Sequence, residues 1–371
     1  MTPRRIVVAV DSFKGTIGAA DAAAALAEGW AAADPEAEIV RRPMADGGEG
    51  TLDAFAAAVE GAESVPVRVH GPDGSAMDAR WVRLPAGPAA PAGTGVVELA
   101  STSGIELLDP ARLRPLDAGT RGFGEAIAAA LDAGVSRLVL AIGSSASTDG
   151  GVGMLSALGA RFTGADGSPI AAGGRGLADL AHADLSLLRT PPAGGVTVLS
   201  DVTSPLLGPT GAAAVFGPQK GADADGIRLL ESGLTRLAAL LTADPDAPGA
   251  GAAGGTGFGL LAWGARLTPG ASAVAEILRL EEAVAGADLV ITGEGAYDGQ
   301  SAQGKAPAHV AGLARRVGTP IALVAGRIAA DAAPDGFAAV VSLTGLAGSG
   351  AAAMADPARW LRAAGAHLAR V

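Results

Sequence analysis

Four times along the chain, at residues 6–10, 137–142, 196–199 and 287–292, a short apolar run stops abruptly at a loop of glycines, hydroxyls and carboxylates. A fifth, shorter run at 38–42 does the same. Alanine-rich stretches of helical period follow or precede these runs, at 19–33, 51–60, 122–132, 226–241 and 306–317. Runs this short and this continuously apolar read as strands covered on both faces, and the intervening helices supply the crossovers of a parallel sheet. Polar residues at the carboxyl end of such strands point into the crevice where α/β sheets bind ligands. The fold class expected is therefore α/β, and the loops after the strands are where function is sought.

From 64 to 100 the texture changes. Residues 65–69, 79–84 and 95–99 read as strands joined by turns such as Gly71-Pro-Asp-Gly74, without helices between them. A length of 371 residues is about twice that of a usual domain, so two domains are expected. The stretch from about residue 64 therefore reads as the start of a different domain, and strand–helix units resume toward the chain end. Residues 244–257 read as a flexible Gly/Pro loop, and there is no internal repeat.

Composition removes several function classes. The formal charge of −11 argues against nucleic acid or an anionic membrane as partner. No apolar run approaches the length of a membrane span, and five apolar residues after Arg4-Arg5 are too few for a secretion-signal core. Without cysteine there is no disulfide, thiolate nucleophile or cysteine-based metal site, and the cytoplasm is the expected compartment. Lysine is the more informative residue. Of 27 basic residues only Lys14, Lys220 and Lys305 are lysines, and asparagine is absent, which suggests a GC-rich coding bias. A solvated lysine drifts to arginine at little cost under such a bias. One that must present a compact ammonium does not. All three stand beside glycine.

Each loop has a functional reading and a plainer one. Asp11-Ser12-Phe-Lys14-Gly15 after the first strand is either a ligand-facing loop or a hydrogen-bonded strand-to-helix turn. In Met44-Ala-Asp46-Gly47-Gly48-Glu49-Gly-Thr51 the glycines let N–H groups approach an anion at a helix start, with Asp46 and Glu49 for a metal or hydroxyl; a bare turn would need neither acid. Ile142-Gly-Ser144-Ser145-Ala-Ser-Thr-Asp149-Gly-Gly reads as a phosphate cradle or as a small-residue helix cap. Asp201 ends another strand, where a lone aspartate is often only a cap. Gln219-Lys220-Gly221 sits in a rigid turn. Glu294 and Asp298 follow the 287–292 strand. Residues 299–305 fit G-x-x-x-x-G-K, but Ala306 stands where a P-loop needs Ser or Thr. Gly249-Ala-Gly251-Ala-Ala-Gly254 fits the dinucleotide fingerprint but follows a helix, so it fails the context that motif requires. His70, His182, His309 and His367 each stand alone and are expected to be structural.

Taken in order, Asp11-Ser-Phe-Lys-Gly, Pro43-Met-Ala-Asp-Gly-Gly-Glu-Gly-Thr51, Ile142-Gly-Ser-Ser-Ala-Ser-Thr-Asp-Gly-Gly151, Asp201-Val, Phe216-Gly-Pro-Gln-Lys-Gly-Ala222, Ile291-Thr-Gly-Glu-Gly with Asp298-Gly-Gln, and Gly304-Lys-Ala-Pro307 resemble the class I glycerate kinases end to end. The departures are specific. That family usually reads Gly-Gly-Ser-Ala-Thr-Asn-Asp where this chain has Gly143-Ser-Ser-Ala-Ser-Thr-Asp149, Asp-Asn-Pro where it has Thr203-Ser204-Pro205, and Arg-Ile-Asp where it has Ala296-Tyr297-Asp298. The resemblance implies a Rossmann-like parallel-sheet domain formed by both chain ends, 1–65 plus 286–371, with a second α/β domain inserted at 66–285 and an active site in the cleft between them. It also implies transfer of the ATP γ-phosphoryl group to D-glycerate with Mg²⁺, mostly at the 2-hydroxyl, with 3-phosphoglycerate as the alternative product or a related hydroxy acid as alternative substrate.

Phosphoryl transfer needs neutralised charge, a metal and an oriented hydroxyl more than covalent chemistry. Lys14, Lys220 and Lys305 suit phosphates and a carboxylate. Asp201 is the preferred base with Asp298 next, and Asp201 and Glu294 are the candidate metal ligands. Asp11, Ser12, Asp46, Gly47, Gly48, Glu49, Ser144, Ser145, Asp149, Gln219, Lys220, Glu294 and Lys305 form the expected substrate and nucleotide site. The partners expected are D-glycerate and ATP, with a monomer or homodimer left open. Two rivals remain. A phosphate-binding regulator would need the lysines and glycines but not the surplus of carboxylates, and a dinucleotide oxidoreductase is weakened by the misplaced glycine motif.

Overall fold

The computed structural model describes residues 3–298, 306–329, 332 and 334–371. Among the described residues thirteen strands run in chain order: β1 Arg5–Val10, β2 Glu38–Arg41, β3 Glu63–His70, β4 Ala76–Leu84, β5 Thr94–Glu98, β6 Arg137–Ala141, β7 Arg161–Thr163, β8 His182–Asp184, β9 Val196–Leu199, β10 Arg266–Thr268, β11 Leu289–Tyr297, β12 Ile321–Ile328 and β13 Ala339–Ser342. They and the intervening helices divide into two compact units.

The first unit comprises Met1–Asp46, Asp53–Glu60 and Ala271–Val371. Its sheet has the order β13-β12-β11-β1-β2, with every pairing parallel. The continuous apolar run predicted this. Ile6 to Val10 are all within 1% of complete burial, as a central parallel strand requires. Ile6, Val8 and Val10 pack with Leu26 and Trp30 of helix Ala19–Ala33 and with Leu361 and Leu368 of helix Pro357–Leu368. Residues 271–285, read from sequence as part of the insert, belong to this unit. Leu280 and Val284 are fully buried, and their helix, Leu280–Ala285, packs on helix Ala306–Val317.

The second unit comprises Gly47–Leu52 and Gly61–Gly270. Its main sheet runs β10-β9-β6-β5-β4-β3 and is mixed: β10, β9, β6 and β5 are parallel, while β4 and β3 return as antiparallel hairpin strands. The change of texture near residue 64 marks these hairpins. A separate pair, β7 and β8, is antiparallel. The core gathers Trp81, Phe123, Ile127, Leu140, Leu155, Leu234 and Phe258. The stretch 244–257 corrects the sequence reading. It is not a flexible loop, because Gly249, Ala250, Gly251, Ala252, Gly254 and Gly255 are buried in turns that lead into helix Thr256–Ala262. Its glycines serve contact rather than freedom. A Cβ on Gly251 would lie 2.2 Å from the Pro205 carbonyl oxygen, and one on Gly254 2.0 Å from that of Ser147.

Helices Ala19–Ala33 and Pro357–Leu368 cross at a pair of glycines. A Cβ on Gly29 would fall 1.9 Å from the Arg362 carbonyl oxygen, and one on Gly365 2.2 Å from that of Leu26. Neither backbone can yield without separating the helices. Gly312, in helix Ala306–Val317, has nothing within 4 Å of the corresponding point. Two alanine substitutions in helices should therefore act oppositely. Gly365→Ala should lower stability by about 1–3 kcal/mol through overpacking. Gly312→Ala should raise it by about 0.5–1 kcal/mol through the helix preference for alanine. Urea unfolding of the two variants beside the parent chain measures both; equal effects would contradict the packing described.

Candidate active site

In the first unit the loop after β1 and the carboxyl-terminal part of β11 carry one group of candidate residues. The Asp11 N–H donates to the Gly293 carbonyl at 2.8 Å, so Asp11 extends the ladder by one rung and stands level with Glu294 on the neighbouring strand. Phe13 is buried and closes a small bridge with Ile17, which anchors the loop and leaves Lys14 exposed. The Gly-Glu-Gly sequence is explained by the strands on either side of it. A Cβ on Gly293 would meet the Val324 carbonyl at 1.9 Å, and one on Gly295 would press on the backbone of Phe13 and Lys14 at 3.1–3.2 Å. Only glycine lets the Asp11–Lys14 loop lie against β11 on one side and β12 approach on the other.

Charge is concentrated here. Burial pushes the Asp11 carboxyl up to about 7, and the neighbouring Asp46 and Glu294 carboxylates push the same way, against the Ser12 N–H at 2.6 Å and the Lys14 ammonium. Glu294 is buried, Asp298 is half-buried just beyond the end of β11, and Asp46 and Lys14 are exposed. Lys305 and residues 299–304, the P-loop-like stretch, lie outside the described residues.

In the second unit three of the sequence motifs converge. Gly47 adopts φ +93°, and a Cβ there would sit 2.5 Å from the Leu199 carbonyl at the end of β9. The Gly143 N–H donates to the Gly47 carbonyl at 2.8 Å, and a Cβ on Gly143 would be 2.6 Å from the Gly48 Cα. The Gly47-Gly48 turn, the loop after β6 and the end of β9 thus meet backbone to backbone. Glu49 and Asp201 are exposed beside this junction, and Asp201 accepts the Gly270 N–H at 2.8 Å. Thr51 opens helix Thr51–Ala58, and its hydroxyl donates to the Gly48 carbonyl at 2.7 Å rather than capping the helix N–H groups.

Two residues expected to face ligand are instead internal. The Asp149 carboxylate is buried and accepts from the Thr120 N–H and hydroxyl at 3.0 and 2.8 Å, the Gly151 N–H at 3.1 Å and the Gly153 N–H at 3.2 Å. Lys220 is 3% exposed, and its ammonium donates to Ser145 Oγ at 2.8 Å and to the Ser147 carbonyl at 2.5 Å. Burial draws the Lys220 pKa down to about 7, while nearby Asp149 opposes the fall. Both side chains hold the 143–151 loop from inside. The out-of-context glycine motif supports the loop from beneath, since the Gly150 N–H donates to the Gly254 carbonyl at 3.1 Å. Gln219, next to Lys220, is exposed, and so is Ser144. Ser144 adopts φ +58°, at the position where the resembled family has glycine. That left-handed conformation costs an L-residue about 1–2 kcal/mol.

Thr120 and the 249–255 turns were not found from sequence. The only signal for the turns was a dense run of glycines, which a flexible linker shares. His70 bonds Glu125 through Nδ1 at 2.8 Å, a structural role as expected. Among the described residues no group of three His, Asp or Glu side chains converges to hold a metal by itself, and no helix is long and apolar enough to cross a membrane.

Comparison with known proteins places this geometry. The model of the glycerate kinase family matches residues 6–371. The glycerate 2-kinase of Escherichia coli strain K12 is 41% identical over 334 residues, 88% of this chain and 86% of that protein. The glycerate kinase of Bacillus subtilis strain 168 is 42% identical over the same shares. A crystal structure described as glycerate kinase 2 from Salmonella typhimurium LT2 superposes with a TM-score of 0.85 at 40% identity, covering 99% of this chain and 98% of that one. The α/β fold described above is the one that solved structure shares. The chain belongs to the glycerate kinase family.

Proposed function

We propose that this chain transfers the γ-phosphoryl group of ATP to the 2-hydroxyl of D-glycerate, giving 2-phosphoglycerate and ADP. The observation that carries the reading is the cluster around the end of β1 and the neighbouring part of β11, where Asp46, Glu294 and Lys14 all act on Asp11. Family membership and the E. coli relative's name, glycerate 2-kinase, supply the substrate and the hydroxyl. In the transfer the glycerate oxygen bonds to the γ-phosphorus, the bond to the β,γ-bridging oxygen breaks, and the hydroxyl proton passes to a carboxylate.

Asp201 is our first candidate for that base and Asp298 the second. Asp11 adds a carboxyl whose pKa of about 7 suits proton exchange at neutral pH. Mg²⁺ fits the donor set, because it takes one or two protein carboxylates and leaves its other positions to phosphates and water. The raised Asp11 pKa records acids crowded together, which a cation would relieve. We assign Glu294 and Asp201 to Mg²⁺, which when bound neutralises charge developing on the transferring phosphoryl. Lys14, Lys305 and the loops at Gly47-Gly48 and Ser144-Ser145 are assigned to the anionic groups of the substrates, with Ser12, Glu49 and Gln219 beside them. Lys220 and Asp149 hold the 143–151 loop in shape. That the halves on the two units act on one pair of substrates is part of this proposal. A reaction fed by ATP fits the cytoplasm.

Asp201→Asn should lower kcat by about 10²–10⁴-fold with ATP binding little changed if Asp201 accepts the proton. A loss that saturating Mg²⁺ restores would make it a metal ligand instead. Steady-state kinetics across a Mg²⁺ series separates the two.

The lysines should part company. Lys14→Arg, at an exposed site, should lose activity at an unchanged thermal midpoint. Lys220→Arg should lose activity and midpoint together, because a larger guanidinium has no room at a 3% exposed position. Activity and melting curves on the same samples test this, and two variants that melt alike would contradict the burial argument.

A phosphorus NMR spectrum of the product, coupled to the carbon-bound protons, should show 2-phosphoglycerate. A 3-phosphoglycerate signal, or no product from D-glycerate with ATP, would overturn the corresponding part of the proposal.

A further inference from the structure

Arg327 stands apart from the arginines that decorate the surface. The five residues of β12 that open the strand, Ile321 to Ala325, are buried, and Arg327 emerges two residues later at the carboxyl end, exposed. Its register partner across the parallel ladder is Ala296 of β11, and Ala325 pairs in the same way with Glu294. Register partners on neighbouring parallel strands lie about 4.8 Å apart and project from the same face. Residues two apart on one strand share a face as well. Glu294, Ala296 and Arg327 therefore share one face, with Asp11 level with Glu294 on β1. On β11 the position that pairs with Arg327 carries Ala296, a methyl group without charge. Among the described residues the Arg327 guanidinium makes no hydrogen bond or ion pair.

The charge balance on this edge calls for such a group. Asp11 is pressed by the Asp46 and Glu294 carboxylates, with the Lys14 ammonium acting on it in the opposite sense, and an anionic substrate would meet the same repulsion. The resembled family carries an arginine at the position of Ala296, and in this chain that guanidinium is missing from β11. The next strand offers one at the same rung. We propose that Arg327 is a substrate-binding residue of this enzyme, its guanidinium taking over from β12 the oxyanion contact that Ala296 cannot make on β11. Its ligand is a pair of anionic oxygens, held bidentately, from the glycerate carboxylate or from a phosphate of ATP. This rests on the phosphoryl-transfer reading above and names a further residue of that site.

The test compares the parent chain with Arg327→Ala, Arg327→Lys and the double variant Ala296→Arg/Arg327→Ala. ADP release by the parent chain with D-glycerate decides the phosphoryl-transfer reading by itself. Calorimetric titration of each protein with D-glycerate and with MgADP then gives affinities that do not depend on turnover. In Arg327→Ala one affinity should fall at least tenfold while the other and the thermal midpoint stay unchanged. Loss confined to D-glycerate assigns the contact to its carboxylate, and loss confined to the nucleotide assigns it to a phosphate. Arg327→Lys should recover only part of the loss, and the double variant most of it, since it restores a guanidinium on the neighbouring strand. Affinities for both ligands within about twofold of the parent in Arg327→Ala would overturn the proposal, as would a double variant no better than the single one.

Discussion

Backbone resting directly on backbone, at distances that leave no room for a Cβ, is the constraint on which the candidate residues of each unit depend. Gly143 lies on Gly48, Gly47 on Leu199, Gly254 on Ser147, and Gly293 on Val324. The first three contacts hold loops against a neighbouring element, the fourth brings strand β12 against β11, and each would be forced open by a single methyl group. Loops made of small residues are usually mobile because they have nothing to pack. Here they are held because they have nothing in the way of packing, and the polar groups they carry inherit that fixity. Preorganisation of this kind matters for phosphoryl transfer, where positioning and fixed charge supply most of the catalysis.

Charge is placed with a corresponding division of labour. The exposed or half-exposed groups, Asp46, Glu49, Asp201, Asp298 and Lys14, are the ones a ligand can reach. Two of the buried ones, Asp149 and Lys220, are spent on the loop itself, where four donors bond the carboxylate and two acceptors the ammonium. A buried ion left unsatisfied is far more damaging than an exposed one, so each of these positions tolerates little change. Asp11 lies between the two groups. It is near enough to the surface to act and withdrawn enough for its proton affinity to sit near neutrality.

Much of the fold was legible because the signals were local. An unbroken apolar run such as 6–10 can only be a strand buried on both faces, and the end of strand β9 at Leu199 was read to the residue. The hairpins after residue 64 announced themselves through alternation and turn residues. What sequence could not show was long-range. Asp149 reads as a ligand until Thr120, 29 residues earlier, is seen to occupy it. Lys220 reads as a phosphate-binding cation until Ser145, 75 residues away, is seen to accept its hydrogen bond. The 249–255 glycines fit a linker, a nucleotide motif or a packing surface equally well, because glycine permits all three and only the neighbours decide.

The burial of Lys220 has a consequence for how such a genome can change. A coding bias that favours arginine presses on every lysine codon alike, and across most of the surface it has met no resistance. At position 220 it meets a side chain 3% exposed whose ammonium is held by Ser145 and Ser147, where a larger head group would overpack the interior. Volume, rather than charge, then keeps this lysine. In a chain of strongly skewed composition, a rare residue that persists against the drift can mark, as Lys220 does and the exposed Lys14 does not, a place where the interior has already been filled.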